Sequence, residues 1–383
     1  MIEANWNYPT DIRFGAGRLR ELPNLCRQLG MKHPLLVTDH NLASRTLIEN
    51  ALTYCREASL GCGLFSQVQG NPVGRNVEEG VRVLNEHSHD GVIAMGGGST
   101  LDAGKAIAFM AGQERALWDF EDREDWYMRA DEDAMLPVVA VPTTAGTGSE
   151  VGRASVIIDE REHVKKIIFH PRMLPQIVIL DPELTLGLPA DITAWVGMDA
   201  LSHNLEAFCS PLFHPLAHGI AIEGIRLVKD WLPRAVADGN DIEARAHMLV
   251  ASTMGATAFQ KGLGAMHALS HPVGAVLDGH HGLTNAIVMP YVLTFNRKSI
   301  DGSIAELARY LSLNDSFDGF YDWVVELREL IKIPETLSDI GVQATHIERL
   351  APMAAKDPSA ATNPRAMNID DAAALYRQAL GNL

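Results

Sequence analysis

The sequence predicts an α/β domain on a mainly parallel sheet, followed by an all-helical domain. Three features predict it: short apolar β-rich runs alternating with helical stretches, glycine- and hydroxyl-rich loops after two of those runs, and long helical patterns without comparable strands after about Leu188. The first run, Leu35-Leu36-Val37-Thr38, ends at Asp39. The second, Gly91–Met95, leads straight into glycines, and the third, Pro137–Pro142, is bracketed by prolines. The fourth, Ile177–Leu180, ends at Asp181-Pro182. Runs this apolar suit strands buried on both faces, and the segments between the first three are long enough for helical crossovers.

From Pro189 onward the pattern is helical. The expected helices are Asp191–Cys209, Pro215–Trp231, Ile242–Leu263 and Ala265–Val276, then Ile304–Tyr310, Asp318–Ile331, Ala344–Met353 and Ile369–Leu380. The Gly-Leu-Pro-Ala turn at 187–190 is the expected boundary, with an α/β domain over 1–187 and an all-helical domain over 188–383. Neither an internal repeat nor a low-complexity segment is visible.

Composition narrows the function. A chain of 383 residues, 47% hydrophobic and 21% charged, has material for two ordinary cores. A formal net charge of −16 argues against a nucleic-acid partner and against adhesion to an anionic membrane. Met1–Trp6 lacks the basic and apolar stretches of a secretory leader, and no apolar run approaches the ~18 residues of a spanning helix. Cys26, Cys55, Cys62 and Cys209 show neither C-x-x-C spacing nor a disulfide framework. The expectation is a cytoplasmic protein acting on small molecules.

Met95–Lys105, reading MGGGSTLDAGK, follows an expected strand and opens an expected helix. Glycines let a phosphate approach the backbone, the free N–H groups of a helix start attract negative charge, and Ser99 and Thr100 add hydroxyl donors. The pattern is not G-x-G-x-x-G, and alone it reads equally as a glycine-rich strand-to-helix turn. A second loop, Pro142–Glu150, packs four hydroxyls and two glycines after another strand. Nucleotides bind at such loops in open sheets. Asp39, ending the first strand, is placed to accept from a ribose hydroxyl and repel a 2′-phosphate, which favours NAD over NADP; a turn or N-cap residue would look the same.

The sharpest signal is in the second half. Asp199 and His203 stand four apart on one helix face, and His267 and His271 repeat that spacing. His280 and His281 follow. Imidazoles suit iron, zinc or nickel, and one carboxylate offsets charge. Two such pairs plus a third histidine site in one apolar domain are a poor fit to chance.

Taken in order, Gly96–Lys105, Pro142–Glu150, Asp181-Pro182, Gly197–Glu206, Gly264–Gly274 and His281–Pro290 resemble the motifs of the iron-containing (group III) alcohol dehydrogenase family, over nearly the whole chain. The resemblance implies a dinucleotide-binding α/β domain, a helical metal domain and an active site in the cleft between them. It implies Asp199, His203, His267 and His281 as metal ligands, for Fe²⁺ or alternatively Zn²⁺ or another divalent ion. It implies NAD contacts at Asp39, Gly97, Gly98, Ser99, Asp102, Thr143, Thr144, Thr147, Ser149 and Lys165, with His271 beside the nicotinamide as the catalytic candidate. A small alcohol or aldehyde is the implied substrate, and a homodimer or higher homo-oligomer the implied assembly. His280, Tyr291 and Lys261 depart from the residues usual in the family and leave the substrate open.

The expected chemistry is hydride transfer between an alcohol carbon and nicotinamide, with His271 relaying a proton or orienting a ligand through a hydrogen bond. Two alternatives remain at this point: a lyase similar to dehydroquinate synthase, for which only Lys261 and Lys165 offer basic residues near the motifs, and a non-catalytic metal- and nucleotide-binding scaffold. Trp118–Glu121 and Phe259 are candidates for a pocket wall, though apolar residues at helical spacing are more often core. Lys261, two turns before His267, is compatible with an anionic or polar substrate, but a surface position is the better expectation.

Overall fold

The computed structural model describes Tyr8 and residues 10–381, so the stretch Met1–Trp6 lies outside the described residues. The chain divides into two compact units. One comprises Tyr8–Thr144 and Gly148–Leu186; Ala145–Thr147 and Gly187 onward form the other.

In the first unit the element order is β1 (Asp11–Phe14), α1 (Leu22–Gln28), β2 (Leu35–Asp39), α2 (Thr46–Glu57), β3 (Gly63–Val68), α3 (Gly74–Glu86), β4 (Val92–Gly96) and α4 (Gly98–Met110). There follow β5 (Val138–Pro142), β6 (Ala154–Asp159), β7 (Val164–Phe169) and β8 (Ile177–Leu180). Six strands form one sheet in the order β1-β8-β5-β4-β2-β3, every pairing parallel. The four expected runs are its centre: β2, β4, β5 and β8 are buried almost throughout because helices cover both faces. Leu36, Ile93, Met95, Val139, Val141, Ile177 and Ile179 join residues of α1 and α2 in one apolar cluster. From β2 the chain steps outward to β3, then returns to β4 on the other side. That reversal places a crevice at the carboxyl ends of β2 and β4, where open α/β sheets bind ligands.

The sequence reading did not include β1, β3 or the β6–β7 hairpin. β1 and β3 are sheet edges with mixed burial, and β6 buries only alternate residues. Without long apolar runs they lack the signal that marks a central strand.

The second unit is helical: α5 (Ala190–Cys209), α6 (Pro215–Ala237), α7 (Ile242–Ala258), α8 (Ala265–Leu277), α9 (His281–Tyr310), α10 (Phe317–Leu330), α11 (Ile347–Lys356) and α12 (Ile369–Ala379). Asp241 starts α7 by accepting from Ala244 N–H, and Ser316 starts α10 by accepting from Gly319 N–H. Two helices run further than expected. Helix α6 passes Pro233, and α9 is continuous through Pro290, so residues 281–303 are helical where the sequence suggested nothing. Proline is the usual stop signal. Here the burial of Ile287, Val288, Val292 and Leu293 in the unit's core outweighs it.

Helix α5 lies at the centre, with Thr193, Ala194 and all of Val196–Phe208 buried. Two glycines permit this. A Cβ on Gly255 of α7 would lie 2.9 Å from His203 Cβ, and one on Gly282 of α9 would lie 2.4 Å from the Trp195 carbonyl oxygen and 2.9 Å from Asp199 Cβ. Only glycine lets α7 and α9 approach α5 this closely.

Lys261 corrects an expectation. Instead of a surface lysine it is 6% exposed, and its Nζ donates to the carbonyls of Ala207, Phe208 and Ser210 at 3.0, 2.9 and 2.7 Å. The ammonium satisfies the orphan carbonyls at the end of α5 and complements its negative dipole end. Lys261→Met is expected to cost about 2–4 kcal/mol by stripping three carbonyls of a charged donor. A denaturation midpoint equal to the parent's contradicts this.

Candidate metal centre

Asp199, His203 and Glu206 lie on α5 at spacings of four and three, so they share a face, and that face is interior. Helix α8 supplies His267 and His271, and α9 begins with His281. One donor atom from each of Asp199, His203, His267 and His281 comes within 4.8 Å of the others. Ligands at the usual 2.0–2.2 Å from an ion stand up to roughly 4 Å apart, so sub-ångström shifts close the cluster on one cation. His281 Nε2 and Asp199 Oδ1 are 3.6 Å apart.

The environment suits a cation. Burial holds the His203 imidazole neutral, its pKa lowered to about 4 despite the nearby Asp199 carboxylate. Its Nδ1 is buried with no hydrogen-bond partner among the described residues. Such orphans are rare and point to a missing partner. For His267 burial favours the neutral form too, but the charge and hydrogen bond of Glu206 outweigh it and raise the pKa.

His271 is not one of the four. Its ring stacks on His281 with centroids 5.2 Å apart, and its Nδ1–H donates to Asp357 Oδ2 at 2.8 Å. Burial alone would raise the pKa of Asp357, yet His271 and the Ser359 N–H lower it, so the carboxylate stays charged. His280 caps α9 by accepting from Leu283 N–H and lies against Trp195, centroids 5.0 Å apart. Phe259 packs on His203 at 5.3 Å.

Three groups escaped the sequence reading. Glu206 bridges Met266 N–H and His267 Nδ1–H, Asn285 Nδ2 donates to Asp199 Oδ1 at 2.9 Å, and Asp357 holds His271. Glu206 and Asn285 carried a usable signal, standing one turn from His203 and His281 on the same helices. Asp357, 86 residues from His271 in sequence, carried none.

The proposed cofactor residues fall mainly on the sheet's carboxyl edge. Asp39 ends β2, Gly97, Gly98 and Ser99 begin α4, and Thr143 and Thr144 follow β5, whose loop is tied to β4 by Thr143 N–H donating to the Gly96 carbonyl at 2.9 Å. No side chain caps the start of α4, which leaves that helix end suited to an anion. Asp39 Oδ1 accepts from Asn41 and Leu42 N–H at 2.9 and 3.1 Å, so it also shapes its own turn. Asp102 faces the protein: it accepts from Ser149 Oγ at 2.5 Å and Val156 N–H at 3.0 Å, and pairs with Lys105 at 3.2 Å. Its geometry is that of a brace for the two loops. Lys165 lies on β7, opposite Ile158. Thr147 belongs to the segment 145–147 that groups with the helical unit.

Residues 9–182 match the model for iron-containing alcohol dehydrogenase, and residues 193–380 match that for the C-terminal part of the Fe-containing alcohol dehydrogenase family. The chain belongs to the iron-containing alcohol dehydrogenase family. Among relatives of this family, a 4-hydroxybutyrate dehydrogenase from Cupriavidus necator is 38% identical over 97% of this chain and 98% of its own length. An NAD-dependent methanol dehydrogenase from Bacillus methanolicus is 35% identical over 98% of this chain and all (100%) of its own. A crystal structure of a 1,3-propanediol oxidoreductase superposes with a TM-score of 0.93 at 35% identity, covering 98% of this chain and 100% of that one. As an iron-containing alcohol dehydrogenase family member the chain is an oxidoreductase, a metal-dependent alcohol dehydrogenase, and the lyase and scaffold alternatives are not favoured. No helix among the described residues is long and apolar enough to cross a membrane.

Proposed function

We propose that the enzyme oxidises small alcohols, or reduces the matching aldehydes, with NAD as hydride carrier and one divalent ion, iron in the first instance, held by Asp199, His203, His267 and His281. The observation that carries this reading is the buried convergence of one carboxylate and three imidazoles from three helices. Bound there, a divalent ion supplies Lewis acidity to an alcohol oxygen. NAD supplies the hydride acceptor, with Asp39, Gly97, Gly98, Ser99, Thr143, Thr144, Thr147, Ser149 and Lys165 as its contacts and Asp102 as their brace. Fixed donors around a charged site avoid reorganisation during reaction, and the Phe259 ring packs against one side of His203.

The alcohol proton must leave as the hydride leaves. His271 is suited to pass it on: with Nδ1–H held by Asp357, its Nε2 has no hydrogen-bond partner among the described residues, and the side chain keeps 13% exposure where His267 has 1%. The substrate is a short alcohol, in keeping with the names of the relatives above. The enzyme works as a homo-oligomer, a dimer being the simplest closed form, in the cytoplasm.

The test is a turnover screen of full-length protein loaded with Fe²⁺ or Zn²⁺, run against short alcohols with NAD and NADP in parallel. NADH formation with at least one short alcohol, dependent on the ion, is expected. Absence of turnover across the panel in metal-replete protein overturns the reading. The NAD preference has its own check. Asp39→Asn keeps an acceptor for the turn but removes the charge that repels a 2′-phosphate. The NADP-to-NAD ratio of kcat/KM is expected to rise by about tenfold, the effect of losing roughly 1.4 kcal/mol of discrimination. An unchanged ratio removes Asp39 from cofactor selection.

A further inference from the structure

We propose that Glu206 is the positioning residue that makes His267 a metal ligand, by holding its Nδ1–H so that the Nε2 lone pair is the one presented to the cation. This rests on the reading that Asp199, His203, His267 and His281 share an ion. Both carboxylate oxygens of Glu206 are engaged at one place: Oε1 accepts from Met266 N–H at 2.6 Å, and Oε2 accepts from His267 Nδ1–H, also at 2.6 Å. Glu206 is 4% exposed, and among the described residues its only ion-pair partner is His267. A buried carboxylate is retained where its charge is matched. Together with Asp199 it gives the site two negative charges against the two positive charges of a divalent ion.

The neighbouring backbone is cut to fit this contact. A Cβ on Gly264 would lie 2.9 Å from Glu206 Oε1, so glycine at that position is what admits the carboxylate to the start of α8. The other imidazoles are supported differently. His281 Nδ1 meets the Ser270 hydroxyl at 3.1 Å, that hydroxyl donates onward to the His267 carbonyl at 3.2 Å, and His203 Nδ1 has no hydrogen-bond partner among the described residues. His267 Nδ1 meets its carboxylate at hydrogen-bond distance, whereas His281 Nε2 stands 3.6 Å from Asp199 across the cluster. The carboxylate therefore sets the ring orientation and proton position of His267 before the ion arrives, as the Ser270 hydroxyl does more weakly for His281.

A plain structural role, capping the N–H of Met266 at the start of α8, is separable from this. Glutamine matches the shape but has one acceptor and one donor. With its oxygen on Met266 N–H, its amide group faces His267 Nδ1 and demands the opposite tautomer, which points an N–H at the cation. Glu206→Gln is therefore expected to stay folded and to bind a divalent ion about 10–100-fold more weakly. A capping role alone would lower the melting temperature and leave affinity unchanged.

The experiment measures Zn²⁺ and Co²⁺ affinity of the full-length protein by competition with a chromophoric chelator, alongside the melting temperature of the metal-free forms. Wild type, Asp199→Ala and Glu206→Gln are compared. Tight one-to-one binding by wild type, lost in Asp199→Ala and weakened in Glu206→Gln, supports the proposal. Wild-type affinity in Glu206→Gln overturns it while leaving the ligand set standing. Equal affinity in wild type and Asp199→Ala overturns the ligand set itself. Should Glu206→Gln not fold, ¹⁵N-histidine spectra of the Zn²⁺-loaded wild type decide. A His267 ring protonated at Nδ1 and bound through Nε2 upholds the assignment, and the reverse refutes it.

Discussion

Asp199→Ala is expected to lose tight metal binding and at least about a thousandfold in kcat, since a Lewis-acid contribution near 4 kcal/mol corresponds to that factor. Asp199 is the one carboxylate in the four-residue cluster, 2% exposed and beside His281 and the Asn285 amide. Without it a divalent ion would sit among three imidazoles in a buried site, its charge offset by the more distant carboxylates Glu206 and Asp357. Alanine is smaller and keeps the Cβ packing of α5 while giving up the Asn285 hydrogen bond, so a folded, metal-free, inactive protein is the expected product. Metal content by elemental analysis and kcat on the best alcohol are the two readings. Full activity in a variant stripped of metal contradicts the scheme.

His271→Ala is expected to keep its ion but lower kcat by about a hundredfold, within the usual range for a general acid–base group. His271 stacks on a proposed ligand without being one of the four, and its Nδ1–H is fixed by Asp357. Removing the imidazole leaves the proton to solvent, so part of the loss should return as pH rises and hydroxide replaces the missing base. The measurement is a pH profile of kcat for wild type and variant at matched metal content. A kcat equal to wild type across the profile removes His271 from the proton path. Loss of metal together with kcat would make it a support for His281 instead.

The central strands were legible because β2, β4, β5 and β8 are covered on both faces and so read as unbroken apolar runs. The hairpin β6–β7 and the edges β1 and β3 were not, since half-buried strands carry a weaker pattern. Residues 281–303 were missed for another reason: Pro290 argues locally for a break, and only tertiary burial reveals the continuous α9. Within the site, spacing of four residues on one helix marked Asp199 with His203 and His267 with His271. It could not separate His267 from His271, because the helix face they share reaches both the cluster and Asp357. Lys261 was misplaced because sequence shows a charge but not the three helix-end carbonyls that bury it.

Anomalous diffraction at the iron edge, from crystals grown with Fe²⁺ under reducing conditions, tests the ligand assignment most directly. A single peak within about 2.0–2.3 Å of a donor atom from each of Asp199, His203, His267 and His281 is expected. A peak that omits any of the four, or lies elsewhere while the crystallised protein remains active, contradicts it.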